Sequence, residues 1–572
     1  MTRARAEGRQ RRRPRGRSLP SDNNARSVAA GSPARGLRIG WQALNIVQPY
    51  ADWVHDLAEG EGPSKPSGIP GPVREFLAEP SARSLLVKGS SGTGKTTFVL
   101  QLMEEALPLE TSMYLSTRVS DSALYSHFKW LQEKEWRESI LDASKEMLRI
   151  MKATPSEQEL QEVAEKGEIL AASKDFLKTL YPDKEPKRAV DRDRLETLCQ
   201  EFPLTDLQKL YDRLERKLPA SCFVIVDSLE GLAERSEAPV TKIMGALQKD
   251  LVEGTGISVI AIIEGRGDNT LDFLVDGTVS LSRAEHDGHL IRELEIQKLR
   301  GIPLHQSRWL FTLHGGHFRA LSPSTPHGRA PRGPFVPGPE PHGAFSTGHD
   351  ALDAILGGGI PVGSSALLEV GPSVPNDVVS VITTPMAANF LAHRRGLLIV
   401  PEGGETADDY HRLYSRMVEE ALVDELMRVA EKINPSRDQT KPYIVALEYQ
   451  DALKDFGIWD KAARALRDRT GAGALRIVGL ETQESRFGEE AYREVISLVS
   501  ESVRADGGVL LSVAKPGLGD VTQRVANASD IHLRLARLDN SFVLYGVEPE
   551  TEILYIDFDS TSGPPVSFVP VV

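Results

Sequence analysis

The chain has 572 residues, 40% hydrophobic and 26% charged, which fits a soluble globular protein of two or more domains and argues against one small core. No apolar run reaches the ~20 residues that span a bilayer, so a membrane role is not expected. The net charge of −13 is unevenly divided: eleven Arg against Glu7 and Asp22 give residues 1–38 a net +9, leaving −22 for the rest.

In chain order, residues 1–38 come first, with Arg9-Gln10-Arg11-Arg12-Arg13-Pro14-Arg15-Gly16-Arg17 at their centre. Lacking apolar periodicity, they are expected to be disordered. Three readings stay open: an arm that holds nucleic-acid phosphates by counterion release, a solvated tail, or sequence upstream of the true start. The apolar core of a secretory signal is missing from them. Residues 39–67 read as a lead-in. Residues 68–318 then alternate apolar, β-rich runs (84–88, 112–117, 222–227, 257–263 and 273–281) with amphipathic helical stretches, the pattern of an α/β domain with a parallel sheet. Within it, residues 119–219 read as a charged, helix-rich insertion whose charge runs are solvated helix faces and whose length suits a lid or docking element. Residues 319–344, dense in Pro and Gly, read as an interdomain linker. A second α/β unit is expected over 345–572, with strands at 366–371, 397–400, 475–478 and 509–513.

The chemistry concentrates in Gly89-Ser90-Ser91-Gly92-Thr93-Gly94-Lys95-Thr96, which matches G-x-x-x-x-G-K-[ST] between an apolar run and the helical stretch beginning Thr97-Phe98-Val99. Glycines let successive backbone N–H groups face one anion, and the following helix N-terminus favours negative charge. Lys95 then reaches the β- and γ-phosphates and the Thr96 hydroxyl ligates Mg²⁺, so ATP and Mg²⁺ are the expected ligands, with residues 89–97 as the binding loop. Cys222-Phe223-Val224-Ile225-Val226-Asp227 delivers Asp227 to a strand end, the position from which an acidic residue holds the cation. The second unit repeats the plan. Ala366 through Gly371 corresponds to Ser84 through Gly89, but Asn376, Asp377 and Val378 stand at the places of Gly94, Lys95 and Thr96. An acidic group at the lysine position repels phosphate, so this copy is read as degenerate. The two cysteines, Cys199 and Cys222, read as reduced thiols of a cytoplasmic protein, and the thirteen His show no metal-ligand spacing.

Val224-Ile225-Val226-Asp227-Ser228-Leu229-Glu230-Gly231-Leu232 resembles the corresponding strand of RecA-superfamily ATPases, above all the KaiC branch. Ser346-Thr347-Gly348-His349-Asp350 through Gly357-Gly358-Gly359-Ile360-Pro361-Val362-Gly363 is similar to the opening motif of KaiC-like domains. Gly68-Ile69-Pro70-Gly71-Pro72-Val73-Arg74-Glu75-Phe76-Leu77, the glycine-rich loop, and Tyr114-Leu115-Ser116-Thr117-Arg118-Val119-Ser120 most resemble the GvpD family of gas-vesicle regulatory proteins. The resemblance implies two RecA-like domains in tandem, the second degenerate. Lys298-Leu299-Arg300-Gly301 is similar to the family's K-x-R-G motif, which implies that Lys298 and Arg300 act on the γ-phosphate of a neighbouring copy in a homo-oligomer. One departure stands out. The family's water-polarising glutamate belongs at the end of the strand after the phosphate-loop helix, where this chain has Ser116-Thr117-Arg118; Glu230 and Glu264 are the fallback bases.

These readings favour a slow regulatory ATPase that controls a protein partner, a transcription regulator being one candidate. The alternatives are a non-hydrolysing ATP-sensing scaffold and a RecA-like DNA-repair recombinase or mediator. Only Gly265 through Thr270 follow Glu264 where a recombinase carries a long DNA-binding loop, and the body of the chain is acidic, so nucleic acid is expected through the Arg-rich tail alone.

Overall fold

The computed structural model describes residues 68–107, 111–133, 140–142, 190–218, 222–265, 270–322, 334–402, 404–434, 440–558 and 566–572. The Arg-rich segment 1–38, the lead-in 39–67, residues 143–189 of the insertion and 323–333 of the linker lie outside them.

Side chains alternate across a strand, and here both faces are apolar. Leu85 and Val87 join one core cluster and Leu86 the other; Ile260 and Ile262 oppose Val259, Ala261 and Ile263 in the same way. Strands of this kind need cover on both sides, which helices supply in a parallel sheet. The first sheet contains β1 (Ser84–Gly89), β2 (Met113–Ser116), β3 (Ile140–Asp142), β4 (Phe223–Asp227), β5 (Ser258–Glu264), β6 (Gly277–His286), β7 (His289–Leu299), β8 (Arg308–Thr312) and β9 (Arg319–Ala320). Its order is β3-β2-β4-β5-β1-β6-β7-β8-β9, parallel from β3 to β6 and antiparallel from β6 onward. A small ribbon pairs β10 (Ala344–Phe345) with β11 (Ile360–Pro361). The second sheet contains β12 (Ser365–Val370), β13 (Leu397–Val400), β14 (Met427–Lys432), β15 (Ile444–Leu447), β16 (Leu475–Gly479), β17 (Val509–Ala514), β18 (Ile531–Leu538), β19 (Ser541–Glu548), β20 (Leu554–Asp557) and β21 (Ser567–Pro570). Its order, β15-β14-β13-β16-β17-β12-β18-β19-β20-β21, repeats that of the first: a parallel section around β12, then an antiparallel section beyond β18.

Three features depart from the sequence reading. The run expected as a strand from 273 begins at Gly277, because Leu271–Leu274 form a turn, and it continues to His286 as one arm of a hairpin. The described part of the 119–219 insertion is integral to the domain. Ile140–Asp142 adds a parallel strand beside β2, and the helix Thr205–Lys217 buries Leu207, Leu210, Tyr211 and Leu214 in the core. The segment expected as linker from 319 starts as β9, paired with β8, and Leu321 is fully buried.

The two sheets meet along their antiparallel sections, within one compact unit. Ile291, Leu310 and Leu321 share an apolar cluster with Val543, Tyr545, Ile553, Tyr555 and Val571. Polar contacts flank it. Arg534 and Tyr545 both hold Asp287, at 2.7 Å each, and Arg319 holds Asp557 at 2.5 Å.

Candidate nucleotide site

Parallel strands end at one edge of a sheet, and register brings particular residues together there. Gly89 pairs with Glu264 and Ser116 with Asp227, so the phosphate loop, Asp227, Glu264 and the end of β2 share one edge. The loop turns through Gly92 (φ 75°) and Gly94 (φ 97°), left-handed positions that favour glycine. Gly94 caps the helix Lys95–Ala106, which is buried on almost every side through Phe98, Val99, Leu100, Leu102 and Met103. Thr93 is buried and donates to the Ser90 carbonyl at 2.9 Å, and Ser90 and Ser91 face outward. Lys95, 6% exposed, donates to the carbonyls of Gly89 (2.8 Å) and Ser90 (2.9 Å) and lies 3.5 Å from Glu264 Oε1. Thr97 is buried in the same first turn.

Asp227 Oδ2 accepts hydrogen bonds from the Thr96 hydroxyl at 2.7 Å and the Tyr114 hydroxyl at 2.5 Å. Burial pushes the Asp227 carboxyl above its ordinary value, against the opposing pull of Tyr114, Thr96 and Lys95. Burial and the neighbouring Asp227 drive the Tyr114 phenol well above its own. Tyr114 stands in the stretch that resembles the GvpD family, but nothing in that stretch points to Asp227; the register of β2 beside β4 brings the two together. The oxygen-only donor set of Thr96 and Asp227 fits a hard cation such as Mg²⁺, which takes its remaining ligands from phosphates and water. Among the described residues no cluster of three or more His, Cys, Asp or Glu could cage a metal by itself.

At the end of β2, where a base was sought, Thr117 stands buried. Its hydroxyl accepts from Ser228 N at 2.8 Å, and its own N–H donates to the Asp227 carbonyl at 2.8 Å. The side chain therefore clamps β2 to β4. A Cβ on Gly231 would fall 2.3 Å from the Thr117 oxygen and 3.1 Å from Arg118 Cγ. Gly231→Ala is expected to destabilise the first domain by about 1–3 kcal/mol, read as a lowered thermal midpoint; an unchanged midpoint would refute the clamp. The two fallback carboxylates separate in role. Glu264 meets Lys95 and lies 3.7 Å from Arg118. Glu230 turns instead to the Glu264 backbone N–H, at 2.5 Å, with burial raising its pKa.

Lys298 and Arg300 are not brought to this edge. Lys298 donates to the carbonyls of Asp272 (3.0 Å) and Val275 (2.6 Å), and Arg300 pairs with Asp276 at 2.9 Å. Asp276 in turn accepts from Ser84 at the start of β1, about 16 Å along the strand from Gly89. Two arginines that the sequence reading missed do touch the loop: Arg283 and Arg292 both donate to the Gly92 carbonyl.

The second sheet carries the matching edge with altered chemistry. Its helix Asn376–Ala392 starts one position earlier than the first loop's helix, at the place of Gly94, and there Asp377 is exposed and Val378 is fully buried in the core. Glu402 lies two residues past β13, as Arg118 lies two past β2, and pairs with Lys515 at 2.6 Å just beyond β17. The Arg118–Glu264 pair of the first sheet thus recurs with its signs exchanged.

Comparison with known proteins follows these divisions. The KaiC ATPase family model matches residues 192–317, the model of the P-loop domain of the GvpD gas vesicle protein matches 73–175, and the model of GvpD basic region 2 matches 335–451. Protein GvpD2 of Halobacterium salinarum is 25% identical over 518 residues, covering 87% of this chain and 95% of that protein. Protein GvpD1 of the same organism is 24% identical over 558 residues, with the same coverage. In this chain the segment 335–451 is acidic, with eight Lys and Arg against seventeen Asp and Glu. No described helix is long and apolar enough to cross a membrane.

Proposed function

For a chain that carries a KaiC-like P-loop ATPase domain and resembles the GvpD proteins along 87% of its length, we propose a regulatory ATPase whose nucleotide state sets its protein contacts. The observation that carries this is the Thr96–Asp227 hydrogen bond beside Lys95 and Glu264, which gathers a phosphate-binding loop, a cation-holding pair and a carboxylate at one sheet edge. Both domains are RecA-like in this reading, supported by their common strand order, and only the first has a phosphate loop that binds ATP. Mg²⁺ held by Thr96 and Asp227 would neutralise the β- and γ-phosphate oxygens. Lys95 binds those phosphates. Glu264 orients the attacking water, but Lys95 and Arg118 draw its charge, and Thr117 occupies the place of the usual base. Hydrolysis is therefore slow, suited to a switch in the cytoplasm.

Lys298 and Arg300 reach the phosphates of a second copy, so ATP promotes a homo-oligomer that presents or hides the surface for a protein partner, a transcription regulator being one candidate. The test combines turnover with light scattering. ATP hydrolysis below about 1 s⁻¹ is expected, falling at least ~100-fold in Glu264→Gln, together with an ATP-dependent rise in mass that Arg300→Ala loses while keeping ATP binding. Fast turnover indifferent to Glu264→Gln, or a mass that ATP leaves unchanged, would overturn the reading. Thr117 also favours a second one, an ATP sensor without hydrolysis. Equal phosphate release by the wild type and Lys95→Ala would select it. The acidic 335–451 segment weighs against nucleic acid there, and DNA binding that vanishes on deleting residues 1–38 would confine it to the tail.

A further inference from the structure

Arg283 on β6 and Arg292 on β7 stand directly opposite each other in the antiparallel register. Both donate to the Gly92 carbonyl, Arg292 at 3.2 Å, and Arg292 also donates to the Val572 carbonyl at 3.0 Å. Among the described residues Arg283 meets no side-chain carboxylate, and Val572, which Arg292 meets, is the last residue of the chain as given. Burial, and then the repulsion of Arg283, hold the Arg292 pKa below its ordinary value. The two guanidiniums share the single Gly92 carbonyl, whose dipole offsets two neighbouring charges incompletely, so this corner favours an anion or the electron-rich face of an aromatic ring.

Strand order indicates what such a ligand would be. Asp227 and Glu264 lie on β4 and β5, on one side of β1, and the β6–β7 hairpin lies on the other. Within the loop, Thr93 N–H turns inward to the Ser90 carbonyl at 3.4 Å. The two ends of a trans peptide point opposite ways, so the Gly92 carbonyl faces outward, toward the hairpin. The hairpin therefore borders the side of the loop away from Asp227, open to the nucleoside end of a nucleotide whose β- and γ-phosphates lie between Lys95 and Asp227.

We propose that Arg283 and Arg292 receive the nucleoside end of the bound nucleotide, their guanidinium planes lying against the base and their N–H groups donating to ribose oxygens. Arginine suits both tasks because it is planar, always charged and weakly hydrated. The inference rests on the nucleotide-binding reading given above.

Inorganic tripolyphosphate separates the two. It offers the phosphate loop its ligand without a base or ribose. Calorimetric titration of the full chain with ATP, ADP and tripolyphosphate is expected to show the Arg283→Ala/Arg292→Ala variant losing about 10- to 100-fold affinity for both nucleotides. Its affinity for tripolyphosphate changes less than about fivefold at physiological salt. Lys95→Ala weakens all three ligands. Arg283→Gln, at an exposed position, shifts ATP affinity in the same direction by about fivefold and decides the matter if the double variant does not fold. Equal losses for ATP and tripolyphosphate would reduce the arginines to shaping the loop and overturn the inference. Unchanged ATP affinity would overturn it too. A wild-type chain that binds none of the three ligands would instead refute the nucleotide-binding reading.

Discussion

Replacing Lys95 with alanine is expected to weaken ATP binding by about 10²- to 10⁴-fold while leaving the first domain folded. Each charge-assisted hydrogen bond to phosphate contributes about 1.5–3 kcal/mol, and the lysine makes such bonds to two phosphates at once. Its ammonium is almost fully buried and is held by the Gly89 and Ser90 carbonyls and by Glu264. Those contacts preorganise it, so little side-chain entropy is lost when a nucleotide arrives. The glycines and helix N-terminus persist in the variant, which accounts for residual binding. Fluorescent-nucleotide titration measures the loss, and circular dichroism checks the fold. A dissociation constant within threefold of the wild type would exclude this loop as the nucleotide site.

The largest stability effect is expected in the second domain. Arg476, on β16, is 1% exposed and pairs with Asp506 at 2.7 Å and Asp460 at 3.5 Å, with Ser502 at 3.0 Å. These partners belong to the helices Ala452–Thr470 and Leu480–Asp506, so one guanidinium ties both helices to the sheet. Arg476→Ala leaves two carboxylates in the interior without it, at a cost of about 3–5 kcal/mol. The urea midpoint for unfolding of the second sheet, followed by hydrogen exchange in β16, should fall by about 1–2 M. A shift below ~0.3 M would show the network to be dispensable.

The pH dependence supplies a sign. Burial pushes the Asp460 carboxyl up, but the contacts with Ser502, Arg464 and Arg476 outweigh it and hold the group below its ordinary value. A depressed carboxylate stabilises fully above the unfolded value of ~3.9, and that contribution is lost as pH falls through the lower folded value. Without Arg476 the same carboxyl is expected to rise, so the deficit of the variant should shrink on acidification.

Some of this chain is written locally. Gly89 through Thr96 specify a strand–loop–helix turn within eight residues, because glycine conformations and the helix N-terminus are neighbours in sequence. Apolar runs ending in Gly89, Asp227 and Gly371 likewise declare parallel strands, and Asp377 and Val378 declare a second loop without lysine or hydroxyl. The strands Met427–Lys432 and Ile444–Leu447 are too short to carry a clear periodic signal, and the antiparallel pairing beyond β6 and β18 is decided by register across each sheet rather than by local pattern. The partners at the site were equally silent. Tyr114 reaches Asp227 across 113 residues, and Arg292 reaches Gly92 across 200. Glu264 and Glu230 both lie near strand ends, yet only register turns the first to Lys95 and the second to a backbone N–H. By itself the sequence determined a G-x-x-x-x-G-K-[ST] loop between a strand and a helix, and a second α/β unit whose corresponding loop has neither the lysine nor the hydroxyl. Tertiary structure alone decided which side chains surround that loop and sent Lys298 and Arg300 to the far end of β1, because strand order and register join residues that no local spacing connects.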